Sequence, residues 1–141
     1  MSTSPLTPYL TFNGNCRAAM TFYQQCLGGD LQVQTFAGTP AAEHVPAEAQ
    51  DGVMHAVLSN GSLLLMASDT GTQPVTKGSM VSLSINCHSD EEITRLFNAL
   101  GAGGHVTMAL DDTFWGAKFG MLTDQFGIDW MFNYDKPGAA Q

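Results

Sequence analysis

The chain has 141 residues, 44% of them hydrophobic, and carries 5 lysines and arginines against 13 aspartates and glutamates, a formal net charge of −8. A chain of this length is the size of one domain and can bury a full core without disulfide or metal staples. Its few basic residues are scattered along the sequence, so neither nucleic acid nor a membrane surface is expected as a partner.

The N-terminus and the cysteines indicate where the protein works. Met1 to Pro8 have neither a basic flank nor an apolar stretch, so they do not resemble a signal peptide. No apolar run approaches the roughly 20 residues that cross a bilayer. The three cysteines are odd in number and form no Cys-x-x-Cys motif, which is typical of buried thiols in a reducing compartment. We therefore expect a cytoplasmic protein.

The first half of the chain is predicted to form a strand, a helix and three further strands. A strand ends at Phe12, and apolar side chains at helical spacing predict a helix over 17–27. The segment Ser59-Asn60-Gly61 is the expected hairpin turn before the last strand. The three later strands are expected at 31–36, 53–59 and 62–67, with a long polar loop over 37–52.

The second half repeats this order. A strand over 80–86 leads into a helix over 91–100, for which Ser89 is the expected N-cap and Glu92 completes a capping box. Both predicted helices end in a Leu-Gly pair at the same spacing from the preceding strand. The later strands are expected at 105–110, 119–123 and 128–134.

The duplicated order predicts an α+β fold in which two tandem βαβββ modules form curved mixed sheets around a cavity, with helices on the outer face. Module one covers about residues 5–70 and module two about 78–136, within a single domain over 1–141. Apolar residues in the strands alternate with polar or mixed ones, so each sheet has one face for a helix and one mixed face. The mixed faces are expected to line the cavity.

Several stretches of the chain resemble one branch of a known superfamily. They are PYLTFNGNC at 8–16, FYQQCLGG at 22–29, MHA at 54–56, LMASD at 65–69, TFWG at 113–116 and TDQFGIDWM at 123–131. Together with the module order, they resemble the PhnB-like branch of the vicinal oxygen chelate superfamily, which also holds glyoxalase I, bleomycin-resistance proteins and extradiol dioxygenases. The resemblance covers nearly the whole chain and implies the same fold and a homodimer.

The resemblance also implies where a metal would bind. Metal-using members place one His or Glu on each of four strands, where a divalent ion binds two adjacent substrate oxygens. These positions correspond here to Pro8, Leu64 or Leu65, Met80 and Met131. None of these side chains is a ligand for a hard or borderline divalent ion, so we predict neither the usual metal site nor a cofactor.

His55 is the best single candidate for a functional residue. It lies in the middle of a predicted strand, where it could hydrogen-bond a ligand or act as a general base near neutral pH. The alternative is a buried histidine bonded to a carbonyl group or across the interface between the two repeats. Phe114 and Trp115 lie on a predicted loop, where large aromatic side chains are natural ligand walls or dimer contacts unless the loop folds back over the core.

The remaining candidates lie on the mixed strand faces and at strand ends. Asp69 and Asp124 are expected mainly to bond nearby backbone amides, whereas the strand phase of Asp129 makes it a better acid for a pocket. The side chains of the mixed faces that would contact a ligand are Tyr9, Thr11, Met80, Ser82, Met131 and Asn133.

Two hypotheses of function follow. The first is a metal-independent, PhnB-like protein that binds an aromatic or amphipathic small molecule in a cavity lined by Met, aromatic and small polar residues. The second is a small-molecule lyase, isomerase or oxygenase that uses His55 as a base or as one ligand of a relocated metal. Candidate partners for that metal are Asp69, Asp124, Asp129 and His105.

Overall fold

The computed structural model describes residues 4–71 and 73–137. The chain divides into two compact units, the first ending at Thr76 and the second beginning at Lys77. Each unit contains one α-helix and one four-stranded sheet. Within the described residues, no helix is both long and apolar enough to cross a bilayer.

The elements of the first unit are β1 (Tyr9–Phe12), α1 (Cys16–Leu27), β2 (Asp30–Thr35), β3 (Val53–Asn60) and β4 (Leu63–Asp69). The sheet has the order β1-β4-β3-β2, in which β1 runs parallel to β4 and the other neighbours are antiparallel. The predicted polar loop between β2 and β3 contains two short 3₁₀ turns, Pro40–His44 and Ala47–Ala49. The predicted strands and helix of this half are therefore confirmed, with small shifts at their ends.

The elements of the second unit are β5 (Leu83–Asn86), α2 (Asp90–Gly101), β6 (His105–Asp112), β7 (Ala117–Thr123) and β8 (Asp129–Asp135). The sheet has the order β5-β8-β7-β6, with β5 parallel to β8. This is the strand order of the first unit, so the α+β class and the βαβββ repeat are confirmed.

One strand boundary in the second unit was predicted wrongly. The fifth strand was expected over 80–86, but β5 begins at Leu83, where it first pairs with Trp130 of β8. A turn precedes β8, so no strand is available to pair with the residues before Leu83. Met80 is consequently 96% exposed and Val81 is 76% exposed.

Each helix packs against one face of its own sheet. In the first unit, Met20 and Tyr23 of α1 are fully buried, as is Leu58 of β3, and α1 contacts β2, β3 and β4. In the second unit, Phe97 of α2 meets Phe132 of β8 edge to face, with ring centroids 5.3 Å apart. Such aromatic pairs contribute about 1 kcal/mol beyond the burial of their area. The hydrophobic core of each unit therefore lies between its helix and its sheet.

The second helix is capped by its own neighbours in sequence. The Ser89 hydroxyl accepts a hydrogen bond from the Glu92 backbone N–H at 3.0 Å, as the capping box predicts. The Glu92 carboxylate accepts from the backbone N–H of His88 at 2.8 Å, one residue before the position that the motif usually serves. Backbone N–H groups at the start of α2 thus find their hydrogen-bond acceptors within five residues of chain, 88–92.

Candidate functional site

Residues on the face of the first sheet away from α1 alternate with the buried ones. Tyr9 and Thr11 of β1 alternate with buried Phe12, and His55 of β3 precedes buried Ala56. The Tyr9 hydroxyl oxygen lies 3.4 Å from Nδ1 of His55, and the two ring centroids are 6.0 Å apart. Two of the predicted ligand-binding residues therefore form an adjoining, partly exposed polar pair, with Thr11 on the same face.

Asp69 lies on the opposite face of this sheet, toward α1, and is 7% exposed. Its Oδ1 accepts from the backbone N–H groups of Gly14 at 2.9 Å and Cys16 at 3.0 Å, and its Oδ2 accepts from that of Val53 at 2.8 Å. Both oxygens thus bind backbone amides, as expected for Asp69, and Oδ1 caps the start of α1. This placement separates Asp69 from His55, its suggested partner in a relocated metal site.

Asp124, the other aspartate predicted to bond backbone amides, is 4% exposed in the turn before β8. Its Oδ1 accepts from the backbone N–H groups of Phe126 at 2.8 Å and Ile128 at 3.1 Å. Its Oδ2 accepts from Nε1 of Trp130 at 2.8 Å. Asp124 therefore stabilises the turn and orients a buried tryptophan.

The face of the second sheet away from α2 carries a row of three methionines. Met108 of β6 pairs with Met121 of β7, which pairs with Met131 of β8, and Ser84 of β5 continues the row. Side chains in such register lie roughly 5 Å apart at their Cβ atoms. The row provides a polarisable, adaptable surface of the kind that accommodates varied apolar ligands.

Asp129 and Asn133 share this face with Met131. The Asp129 carboxylate accepts from the Thr123 hydroxyl at 2.6 Å and from Nζ of Lys77 at 3.0 Å. The Thr123 hydrogen bond, followed by the interactions with Lys77, holds the pKa of Asp129 below its ordinary value. Asp129 is therefore an ionised, ion-paired group, which suits electrostatic anchoring better than proton transfer near neutral pH.

A cleft of about 480 Å³ lies along β6 and the loop that joins it to β7. Trp115, predicted as a ligand wall, lines this cleft together with Met108 and Phe119. Phe114 is 97% exposed and packs edge to face against Trp115, with ring centroids 4.9 Å apart. Of the two aromatic residues predicted on this loop, Trp115 contributes to the cleft wall, whereas Phe114 lies outside the cleft and is exposed.

The loop that carries Trp115 is held by hydrogen bonds at both ends. The Thr113 hydroxyl donates to the Ala117 carbonyl and accepts from the Ala117 N–H, both at 3.0 Å. The backbone N–H of Lys136 donates to the Gly116 carbonyl at 3.1 Å, and the Lys136 ammonium pairs with the Asp112 carboxylate. The cleft wall is therefore preorganised, which lowers the entropic penalty of binding.

Met80 and Ser82 are displaced from the faces on which a ligand was expected. Both precede β5 in an exposed segment, so neither lies in the row with Met131. The residues at the positions that the resemblance implies for a metal also offer no ligand of the kind that a divalent ion prefers. Pro8, Leu64, Leu65, Met80 and Met131 offer no imidazole or carboxylate, and among the described residues no group of three or more His, Cys, Asp and Glu side chains is placed to hold a metal.

The sequence predictions missed Phe119 of the cleft wall and Met121 of the methionine row. Phe119 and Met121 alternate with Gly120 and Leu122, so strand phase alone could have assigned them to the mixed face.

A second cavity, of about 590 Å³, lies in the first unit between the start of α1 and the loop before β3. Most of its lining residues lie in loops and turns, for which periodicity gives no signal.

The Cys16 thiol, at the start of α1, is fully buried. Burial, followed by the nearby Asp69 carboxylate, raises its pKa from 9.0 to about 12. The folded state therefore favours the neutral thiol, and this contribution to stability is present below pH 9 and is lost as the pH rises through about 12. We expect urea unfolding to show a steeper loss of stability above pH 9 in the wild type than in Cys16→Ala. Equal slopes would contradict this.

Comparison with known proteins identifies relatives over nearly the full chain. Residues 6–132 match the Glyoxalase/Bleomycin resistance protein/Dioxygenase superfamily. Protein YjdN of Escherichia coli (strain K12) is 35% identical over 146 residues, covering 97% of this chain and 99% of its own. The crystal structure of protein PA1353 from Pseudomonas aeruginosa has 47% identity and a TM-score of 0.84, covering 94% of this chain and 98% of that one.

A third relative shares the fold at lower identity. It is described as a putative 3-demethylubiquinone-9 3-methyltransferase, PhnB protein, from Bacillus cereus. Its structure superposes with a TM-score of 0.74 at 24% identity, and the match covers 93% of this chain and 99% of that one.

Proposed function

The chain belongs to the glyoxalase/bleomycin resistance/dioxygenase superfamily, and from this we propose that it binds a flat apolar or amphipathic small molecule without the superfamily's usual metal. The observation that carries the proposal is the cleft of about 480 Å³ lined by Trp115, Phe119 and Met108. This volume suits a drug-sized or smaller ligand, and the lining combines aromatic and thioether groups that pack against flat rings. The row that continues through Met121 and Met131 extends the apolar surface beside it.

The test compares two neighbouring aromatic residues of one loop. We expect Trp115→Ala to weaken binding of the neutral probe acridine about tenfold or more, because a large ring is lost from the wall. Phe114→Ala should change the dissociation constant by about threefold at most, since Phe114 does not line the cleft. Fluorescence titration measures both. Equal affinities for wild type and Trp115→Ala would overturn the proposal.

Metal content provides a second, independent test. Because the family positions hold Pro, Leu and Met, we expect the purified protein to contain far less than one equivalent of divalent metal, and chelator treatment to leave its melting temperature unchanged. Stoichiometric metal that is lost in His55→Ala would show that the protein binds a metal through His55 and not at the family positions. That result would favour the second hypothesis over metal-independent binding.

Catalysis with His55 as general base is the second candidate function. It is favoured by the Tyr9 hydroxyl at 3.4 Å from His55 Nδ1, a contact that can fix the orientation of an imidazole. Incubation of a metabolite extract with wild type and with His55→Ala, followed by mass spectrometry, tests this role. A compound consumed only by wild type would support catalysis, and identical profiles would count against it.

We propose that the protein acts in the cytoplasm as a homodimer, as superfamily resemblance and composition suggest. The exposed side chains of Phe114 and Met80, 97% and 96% accessible, are apolar surface that a second copy would cover. Light scattering on the wild type and on Phe114→Ala measures the oligomeric state directly. A monomer at all concentrations would contradict the dimer.

A further inference from the structure

Two carboxylates line the proposed ligand cleft, and only one of them is neutralised. Asp112 is paired with the Lys136 ammonium, whose hydrogen bond and charge lower the pKa of Asp112. Asp111 is exposed and forms no ion pair within residues 4–71 and 73–137, and its Oδ1 accepts only from the backbone N–H of Asp112, at 2.8 Å. None of the residues that line the cleft is basic. The cleft therefore carries one uncompensated negative charge.

The aromatic part of the lining also favours positive charge. Trp115 and Phe119 line the cleft, and a cation over the face of such a ring, within about 6 Å, is stabilised by the ring quadrupole, most strongly for Trp. Methionine sulfur adds favourable contacts with aromatic ligands. A flat cation would thus satisfy Asp111, the indole of Trp115 and the thioether of Met108 together.

Resting on the proposed binding function, we infer that the cleft selects an organic cation with a flat aromatic body over neutral or anionic molecules of the same shape. The formal net charge of −8 on the chain adds a long-range attraction for cations, which salt screens beyond roughly 10 Å. The Asp111 carboxylate provides the short-range part of this preference. Lys136 does not oppose it, because its ammonium is already bound to Asp112.

Three acridines separate ligand charge from ligand shape. At neutral pH, 9-aminoacridine is a cation, acridine is neutral and acridine-9-carboxylate is an anion, while the fused ring system is the same. We expect 9-aminoacridine to bind about fivefold more tightly than acridine, the upper end of what one partly screened ion pair supplies. Acridine-9-carboxylate should bind more weakly than acridine.

Asp111→Asn should reduce the preference for 9-aminoacridine over acridine, measured as the ratio of their dissociation constants, to about twofold. Glu91→Gln is the matched control, because it removes one negative charge from an exposed position in the first turn of α2 and does not line the cleft. Glu91→Gln should preserve the preference for 9-aminoacridine. Circular dichroism should show that both variants fold like the wild type.

The outcomes distinguish this inference from the function on which it rests. Binding of acridine with no preference for the cation overturns the cation selectivity alone. A preference that survives in Asp111→Asn assigns selectivity to the overall charge of the chain and also overturns the role given to Asp111. Failure of all three acridines to bind overturns the proposed function itself.

Discussion

Asp69→Asn is expected to lower the free energy of unfolding by about 3 kcal/mol. The buried carboxylate accepts three backbone hydrogen bonds, from Gly14 and Cys16 through one oxygen and from Val53 through the other. An amide of nearly the same size has one acceptor and one donor, so either the Val53 N–H or the pair at the start of α1 must lose its acceptor. Each buried donor left without a partner costs about 1–3 kcal/mol.

Asp135→Asn is the control for this substitution. Asp135 ends β8 much as Asp69 ends β4, but it is exposed, so the same chemical change there should alter stability by about 0.5 kcal/mol or less. Urea denaturation followed by circular dichroism measures both variants. If Asp69→Asn were as stable as Asp135→Asn, the carboxylate would have no role as a remote cap.

The second large effect is expected at a glycine of the second unit. An alanine Cβ at Gly104 would meet the Thr123 carbonyl oxygen and would lie 2.9 Å from the Asp124 Cα. Both obstacles are backbone atoms, so side-chain rearrangement cannot relieve the overlap. We expect Gly104→Ala to lower the free energy of unfolding by about 3 kcal/mol, at the upper end of overpacking penalties.

Gly78 provides a control in the same unit. A Cβ there meets nothing within 4 Å and its backbone is not in the left-handed region, so Gly78→Ala should be neutral or stabilise by about 0.5 kcal/mol. Thermal unfolding of the two variants separates close backbone approach from a general effect of removing glycine. Similar melting temperatures would show that the sheet adjusts to the extra methyl group.

The sequence predicts the repeat well because its signals are local. Helical spacing located both helices, and the capping pair of Ser89 and Glu92 located the start of α2 within a few residues. The start of β5 could not be predicted in the same way. Met80 and Val81 fit the alternation of a strand, but a strand also needs a neighbour, and β8 begins too late to pair with them.

The candidate site was harder to predict, since it depends on which strands lie side by side. The alternation within β8 placed Met131 on the mixed face, but only the register shows that Met121 and Met108 continue its row. Trp115 was singled out as a large aromatic residue on a loop. Trp115 lines the cleft and adjacent Phe114 does not, because the geometry of the turn directs them differently. The order of residues in the sequence does not reveal this geometry.

The different caps of the two helices have a consequence for the order of folding. The cap of α2 lies within its own turn of chain, so capping this helix requires only residues 88–92. The cap of α1 is contributed by a residue 53 positions later, so its first turn is completed only after β4 has joined the sheet. The entropy of closing such a long loop must be lost before the contact can contribute any free energy, and this slows folding. During synthesis, the N-terminal helix is therefore expected to mature only when β4 has emerged, whereas the cap of α2 can form before the later strands of its own unit have emerged.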